Sequence, residues 1–382
     1  MTIDDIISAA SARTGLSEVG DRSALVGLER LLRAYETEGN FSEQGARMAH
    51  DDLVGYMSSR MQIEDWLAKN PELLTRPVEK PMFVFGLPRT GTTLMINLLA
   101  SDPARRSFLR WEIYEPIPPA RPEELHAGPR YEERQAQCEM ALQYVPHITA
   151  IHMEFADSPT ECQFLMTPSF CAQVYDALAD IPSYRQWFLH EADYLPAFEF
   201  HKRTLQALQQ YTGGRWTLKN PWHPLFLDAL TEVYPDAQLV MTHRDPAEVV
   251  GSCCSLIKYS RLVYSSDVDL KAIGRDLMDT FRIMIDRQNV FREQHGRDAI
   301  HDVHYIDTVR DPIGTVRKIY ERFDEELTPS ALTAMDSYIA GNPKGKHGKH
   351  EYSLEDYGLS AGEVRDVFSD YIRDFDIPIE EG

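Results

Sequence analysis

Apolar residues recur at three- and four-residue steps through the first part of the chain. Leu25, Leu28, Leu31, Leu32 and Tyr35 form one stripe, and Leu53, Met57 and Met61 repeat the spacing. That is the period of one helix face, so residues 1–76 are predicted to be an all-helical extension. Asn70-Pro71 and Arg76-Pro77 end it, because the residue before a proline is pushed out of helical geometry. Beyond them short apolar runs appear at Met82 to Phe85, Trp216 to Leu218, Gln238 to Thr242 and Ala299 to Tyr305, each followed by a helical pattern. Strands alternating with helices predict an α/β domain over 77–382, built on a parallel sheet flanked by helices. The stretch at about 103–212, mostly helical and broken by prolines, is predicted to be a helical cap over that sheet.

Composition narrows the function classes. The 382 residues carry a formal charge of −21, which disfavours nonspecific attraction to nucleic acid or to an anionic membrane. An anionic ligand must therefore meet a local cationic pocket. No apolar run approaches the ~20 residues that span a bilayer, and the first residues lack the basic-then-apolar layout of a secretion signal. The expectation is a cytoplasmic protein with no membrane span. Five cysteines, an odd number with no CxxC pair, predict buried thiols rather than a disulfide framework or a zinc site.

Three segments carry candidate chemistry. Residues 82–94, MFVFGLPRTGTTL, run from a buried-type strand through a glycine-containing turn into an apolar helix. Backbone N–H groups of such a turn, with the helix N-terminus and the hydroxyls of Thr92 and Thr93, make a cradle for an anion. Gly86 and Gly91 have P-loop spacing, but Thr92 stands where the P-loop lysine belongs and Arg89 supplies a cation instead. This departure argues against ordinary nucleoside triphosphate hydrolysis, and no metal is expected. At 238–246, QLVMTHRDP, a strand delivers Arg244 to its carboxyl end, where open α/β sheets bind ligands, with Asp245 and Pro246 suited to start a helix. At 216–223, WTLKNPWH, Lys219 is placed to stabilise charge and His223 to accept a proton. Glu161 is a second candidate base, although Ser158 three residues earlier also fits a helix capping box.

Taken together, these segments resemble the sulfotransferases that use 3′-phosphoadenosine 5′-phosphosulfate (PAPS), especially their bacterial, actinobacterial-like branch, over roughly residues 80–350. The resemblance implies that Pro88, Arg89, Thr90, Gly91, Thr92 and Thr93 hold the 5′-phosphosulfate and that Arg244 with Ser252 holds the 3′-phosphate. It implies that Tyr305, in Tyr305-Ile306-Asp307, sits near the adenine, and that Lys346, His347 and Gly348, within a loop at about 343–350, close on the nucleotide. Lys219-Asn220-Pro221 is similar to the family's lysine-containing strand end. Relative to the cytosolic animal enzymes, Arg89 replaces a lysine, Leu94 a tryptophan that stacks on adenine, and Pro221 a catalytic histidine.

The implied reaction is in-line transfer of a sulfuryl group from PAPS to an acceptor hydroxyl, leaving adenosine 3′,5′-bisphosphate (PAP), with His223 or Glu161 as base. A small molecule, a lipid or a sugar can serve as acceptor. Cap residues Phe155, Phe164, Met166, Phe170, Tyr175, Tyr184, Trp187 and Phe188 either line its pocket or form core. The rival readings are a magnesium-dependent P-loop kinase or NTPase and a nucleotide-binding protein without turnover.

Overall fold

The computed structural model describes residues 1–144, 154–343 and 352–380. Its centre is a five-stranded, all-parallel sheet of β1 (Met82–Gly86), β2 (Arg105–Arg106), β3 (Arg215–Lys219), β4 (Gln238–His243) and β5 (His301–His304), in the spatial order β2-β3-β1-β4-β5. After β1 the chain passes to β2 and β3 on one side, then to β4 on the other. Ligands bind at such a reversal, beyond the carboxyl ends of the strands. Register keeps those ends level, with Val84 opposite Lys219 and Gly86 opposite Thr242.

All five residues of β1 are buried, as a strand covered on both faces requires. Side chains alternate across the sheet: Phe83 and Phe85 join one hydrophobic cluster, and Met82 and Val84 join another with Leu98, Leu99 and Ile319. The first cluster also takes in Leu28 and Met57 from the N-terminal helices and Phe170, Tyr184 and Phe188 from the cap segment. Residues 1–76 therefore share a core with the sheet.

Those residues form α1 (Ile3–Thr14), α2 (Ala24–Thr37) and α3 (Glu43–Lys69). Ser42 caps α3 by accepting from Gly45 N at 3.0 Å, and its own N–H donates to Tyr264 O at 2.9 Å. A Cβ on Gly45 would lie 1.8 Å from that carbonyl oxygen, so only glycine allows α3 to dock on the end of the helix Pro246–Tyr264. Two turns further on, this docking delivers Asp52 and Tyr56 to the central cavity.

Two strands differ from expectation. β2 consists of two arginines, which carry no hydrophobic strand signal. It is held at the sheet edge by pairing with Arg215 and Trp216, while its side chains are buried on Glu325 and Glu112. The last strand is shorter than predicted, because Tyr305 already begins the helix Tyr305–Arg310.

Candidate functional site

Between β1 and α4 (Thr92–Ala100) the chain turns through Leu87–Gly91. Arg89 occupies left-handed backbone space at φ 73°, a costly conformation for a side chain of this size. Contacts on both sides hold it there. Thr90 Oγ1 donates to Leu87 O at 2.7 Å and lies 2.6 Å from Thr242 Oγ1, pinning the turn to β4, while Arg89 Nε donates to Ser252 Oγ at 3.0 Å. Gly91 has φ 92°, and a Cβ there would come within 2.7 Å of Tyr305 Cδ2. The turn thus lays bare backbone against an aromatic ring at a helix N-terminus.

Arg244 leaves the end of β4 beside this turn. Its guanidinium lies 4.4 Å from the Tyr305 ring centroid, with Nη1 3.4 Å from Arg89 O. Asp245 caps the following helix by accepting from Ala247 N at 3.0 Å, and Pro246 fills its first turn. Burial works against the charge of Arg244, but the carboxylate of Glu380 more than offsets it and holds the guanidinium pKa above its ordinary value. Burial also weighs on Arg89, whose pKa is lowered.

Both arginines line one cavity of about 470 Å³, together with Pro88, Gly91, Thr92, Thr93, Glu161 and Tyr305. Thr90 faces away, into its contacts with Leu87 and Thr242, and Ser252 touches the site through Arg89. Lys346, His347 and Gly348 lie outside the described residues. The described residues contain no cluster of side chains suited to a metal ion.

The candidate bases separate. Glu161 meets the end of β3 in a parallel bridge to Lys219, its Oε1 accepting from Lys219 Nζ at 2.8 Å and its other oxygen accepting from Gln163 Nε2. Ser158 Oγ accepts from Phe155 N at 2.9 Å, so Ser158 and Glu161 do not form the anticipated capping box. Lys219 has no exposed surface and is not part of the cavity wall, where Pro221 and Trp222 stand instead. His223 is fully buried among Phe83, Phe85, Phe198 and Phe226, and neither ring nitrogen has a hydrogen-bond partner among the described residues. Burial pushes its pKa well below 6.5. The expectation of His223 as a base at the site therefore does not match its position: helical geometry after Pro221 turns the ring into the core.

Away from the arginines the cavity is walled by Phe164, Val174, Ala177, Leu178, Leu256 and Ile257, with Asp52, Tyr56 and Tyr264 at the N-terminal helices. Tyr264 OH donates to Asp52 at 2.7 Å, and burial raises the Asp52 pKa. Of the aromatic and methionine cap residues considered from sequence, Phe164 lines the cavity, Met166, Phe170, Tyr175, Tyr184, Trp187 and Phe188 are core, and half-buried Phe155 belongs to neither. Sequence reasoning missed Asp52, Tyr56, Tyr264 and Glu380. The first three lie in amphipathic helices where nothing local marks a site, and Glu380 is one acid within an acidic terminus.

A sulfotransferase family model matches residues 81–329, from the start of β1 past β5. The chain belongs to the sulfotransferase family. It is 34% identical to sulfotransferase STF9 from Mycobacterium avium, whose crystal structure superposes with a TM-score of 0.93 over 100% of this chain and 98% of that one. Sulfotransferase STF1 from Mycobacterium tuberculosis H37Rv gives 32% identity and 0.87 over 97% and 99%. An omega-hydroxy-beta-dihydromenaquinone-9 sulfotransferase of Mycobacterium bovis is 25% identical over 72% of this chain and 71% of its own. The protein is thus an enzyme that transfers sulfuryl groups, on a P-loop-like α/β fold of the bacterial branch. The kinase and non-catalytic readings are not favoured.

Proposed function

We propose that this sulfotransferase takes the sulfuryl group from PAPS and transfers it to a hydroxyl of an apolar small-molecule or lipid acceptor, releasing PAP. The observation that carries the reading is that Arg89 and Arg244 open into the same cavity as Glu161. A nucleotide phosphorylated at both 3′ and 5′ positions needs two cationic niches in one pocket, and an overall charge of −21 makes such niches selective. The site suits an anion: Arg244 already carries a carboxylate on its fork, and the Gly91 turn leaves its backbone free of a Cβ.

In this assignment Arg89, the amides of the turn and the hydroxyls of Thr92 and Thr93 hold the 5′ end, Arg244 holds the 3′-phosphate, and Tyr305 borders the base. PAPS supplies an activated sulfuryl group and a stable phosphate leaving group. Glu161 accepts the acceptor's hydroxyl proton from the cavity wall, and Lys219 orients Glu161 as a positioning residue. The apolar wall from Phe164 to Ile257 favours an acceptor whose hydroxyl sits on a hydrophobic body. The menaquinone-derived acceptor named for the M. bovis relative has that character. Five free, buried thiols suit a reducing cytoplasm. No helix among the described residues is long and apolar enough to cross a membrane.

Titration calorimetry with PAP and 5′-AMP tests the donor assignment. PAP should bind at least tenfold more tightly, and Arg244→Ala should erase most of the difference. Equal affinities in the unaltered protein would overturn it. Mass spectrometry of a lipid extract incubated with enzyme and PAPS then reads the acceptor as a mass gain of one sulfuryl group.

A further inference from the structure

Arg244 is already gripped by an anion from the protein itself. Its Nε donates to Glu380 Oε1 at 2.7 Å and its Nη2 to Glu380 Oε2 at 2.8 Å, a two-pronged fit of carboxylate to guanidinium. A phosphate bound to the same edge of this guanidinium would use the same two N–H groups. Two anions cannot share that edge.

Glu380 is presented on a tether anchored at both ends. Upstream, Tyr371 in the helix Ser369–Asp374 is buried with its hydroxyl 2.8 Å from His243 Nδ1, and Ile377 is inserted in the core. At the other end, Glu380 N donates to Asp245 Oδ2 at 2.9 Å, and Arg365 Nη2 donates to Glu380 O at 3.0 Å while pairing with Asp245. The side chain itself is 30% exposed, so it can swing off Arg244 without unpacking the core. An arginine that is only 19% exposed needs a counter-charge when no ligand is present, and Glu380 provides one.

We propose that Glu380 is an internal competitor for the anion niche of Arg244: it occupies the niche in the free enzyme, yields to the 3′-phosphate of the donor, and returns as PAP leaves. This rests on the reading that Arg244 receives the 3′-phosphate. A phosphate monoester carries more charge than a carboxylate and arrives with the rest of the nucleotide, so it wins the exchange when PAPS binds. The competition scales the apparent affinity for every 3′-phosphorylated nucleotide down to the intrinsic value multiplied by the fraction of molecules in which the niche is free. It thereby favours release of PAP, a step that limits turnover in many enzymes.

The test is PAP and 5′-AMP binding by calorimetry to four proteins: unaltered, Glu380→Gln, Glu380→Ala and Arg244→Ala. Both Glu380 variants should tighten PAP binding by about two- to fivefold, the range of a partly exposed ion pair, and leave 5′-AMP affinity unchanged. Unchanged or weakened PAP binding in both Glu380 variants, with Arg244→Ala still selectively losing PAP, overturns the competitor role alone. Loss of selectivity for PAP already in the unaltered protein overturns the donor assignment beneath it.

Discussion

Glu161 and Lys219 are joined twice, once through the backbone and once through the side chains. Cys162 N donates to Lys219 O at 2.8 Å, and Lys219 Nζ donates to Glu161 Oε1 at 2.8 Å. The ammonium is sealed off, whereas the carboxylate reaches the cavity. Such an arrangement fixes the position of the carboxylate at the cavity wall.

Glu161→Gln is therefore expected to lower kcat by roughly 10²–10⁴, the usual contribution of a general base, with PAP affinity unchanged. Lys219→Met should also lower kcat, and it should cost about 3–5 kcal/mol of stability by leaving Glu161 without its buried partner. Steady-state rates with an acceptor identified by mass spectrometry, beside urea unfolding, separate the two effects. Full activity of Glu161→Gln would remove it from the proton-transfer role.

The turn before α4 makes a prediction about donor binding. A methyl group at Gly91 would press on the Tyr305 ring and strain a backbone at φ 92°. Gly91→Ala should weaken PAP binding tenfold or more, and urea unfolding of the same variant separates a loss of binding from a loss of stability. Unaltered PAP affinity measured by calorimetry would mean that the Gly91–Tyr305 contact does not shape the nucleotide niche.

Buried histidines, among them His201 and His223, lower stability on the acid side. Burial pushes the His201 pKa down to about 3 and the His223 pKa well below 6.5. In the unfolded chain both protonate near 6.5. Above that pH neither state binds the extra proton and stability is full. As pH falls below it, the unfolded state gains protons that the folded state refuses, so stability declines. The loss between pH 7 and pH 5 is about 2 kcal/mol for His201, and His223 adds to it in the same direction. His223→Phe, a ring replacing a ring in an aromatic cluster, should remove its share of this slope in urea titrations at the two pH values. An unchanged slope would mean that His223 takes up its proton as readily in the folded protein as in the unfolded chain.

The main strands and the turn before α4 were legible in sequence because they are local: an apolar run ending in a turn or a cation within a dozen residues marks them. The pairing of Arg89 and Arg244 in one cavity followed from the rule that parallel strands open at one edge. The base was harder to read. Lys219 and His223 share a strand end, yet Asn220-Pro221 redirects the chain so that Trp222 faces the cavity and His223 the core, a choice made by tertiary packing around Phe83 and Phe198. β2 escaped notice because its arginines are buried by distant partners, and the contribution of α3 depends on Gly45 meeting Tyr264, more than two hundred residues away.

The apolar end of the cavity can be filled without touching the arginines. Ala177 sits on the wall with Val174 and Leu178, in a short helix separate from the strand ends that carry Arg89 and Arg244. A tryptophan there would occupy a large part of a cavity of about 470 Å³. Ala177→Trp is expected to raise KM for a bulky apolar alcohol tenfold or more and to leave PAP affinity untouched. A short alcohol such as ethanol, which needs only the space next to Glu161, should lose far less. Parallel initial-rate and calorimetric measurements on the variant decide the matter. Equal losses for both alcohols would place the acceptor elsewhere, whereas a loss confined to the bulky one would show that the cap and the N-terminal helices select the hydrophobic body while the strand ends handle the sulfuryl group.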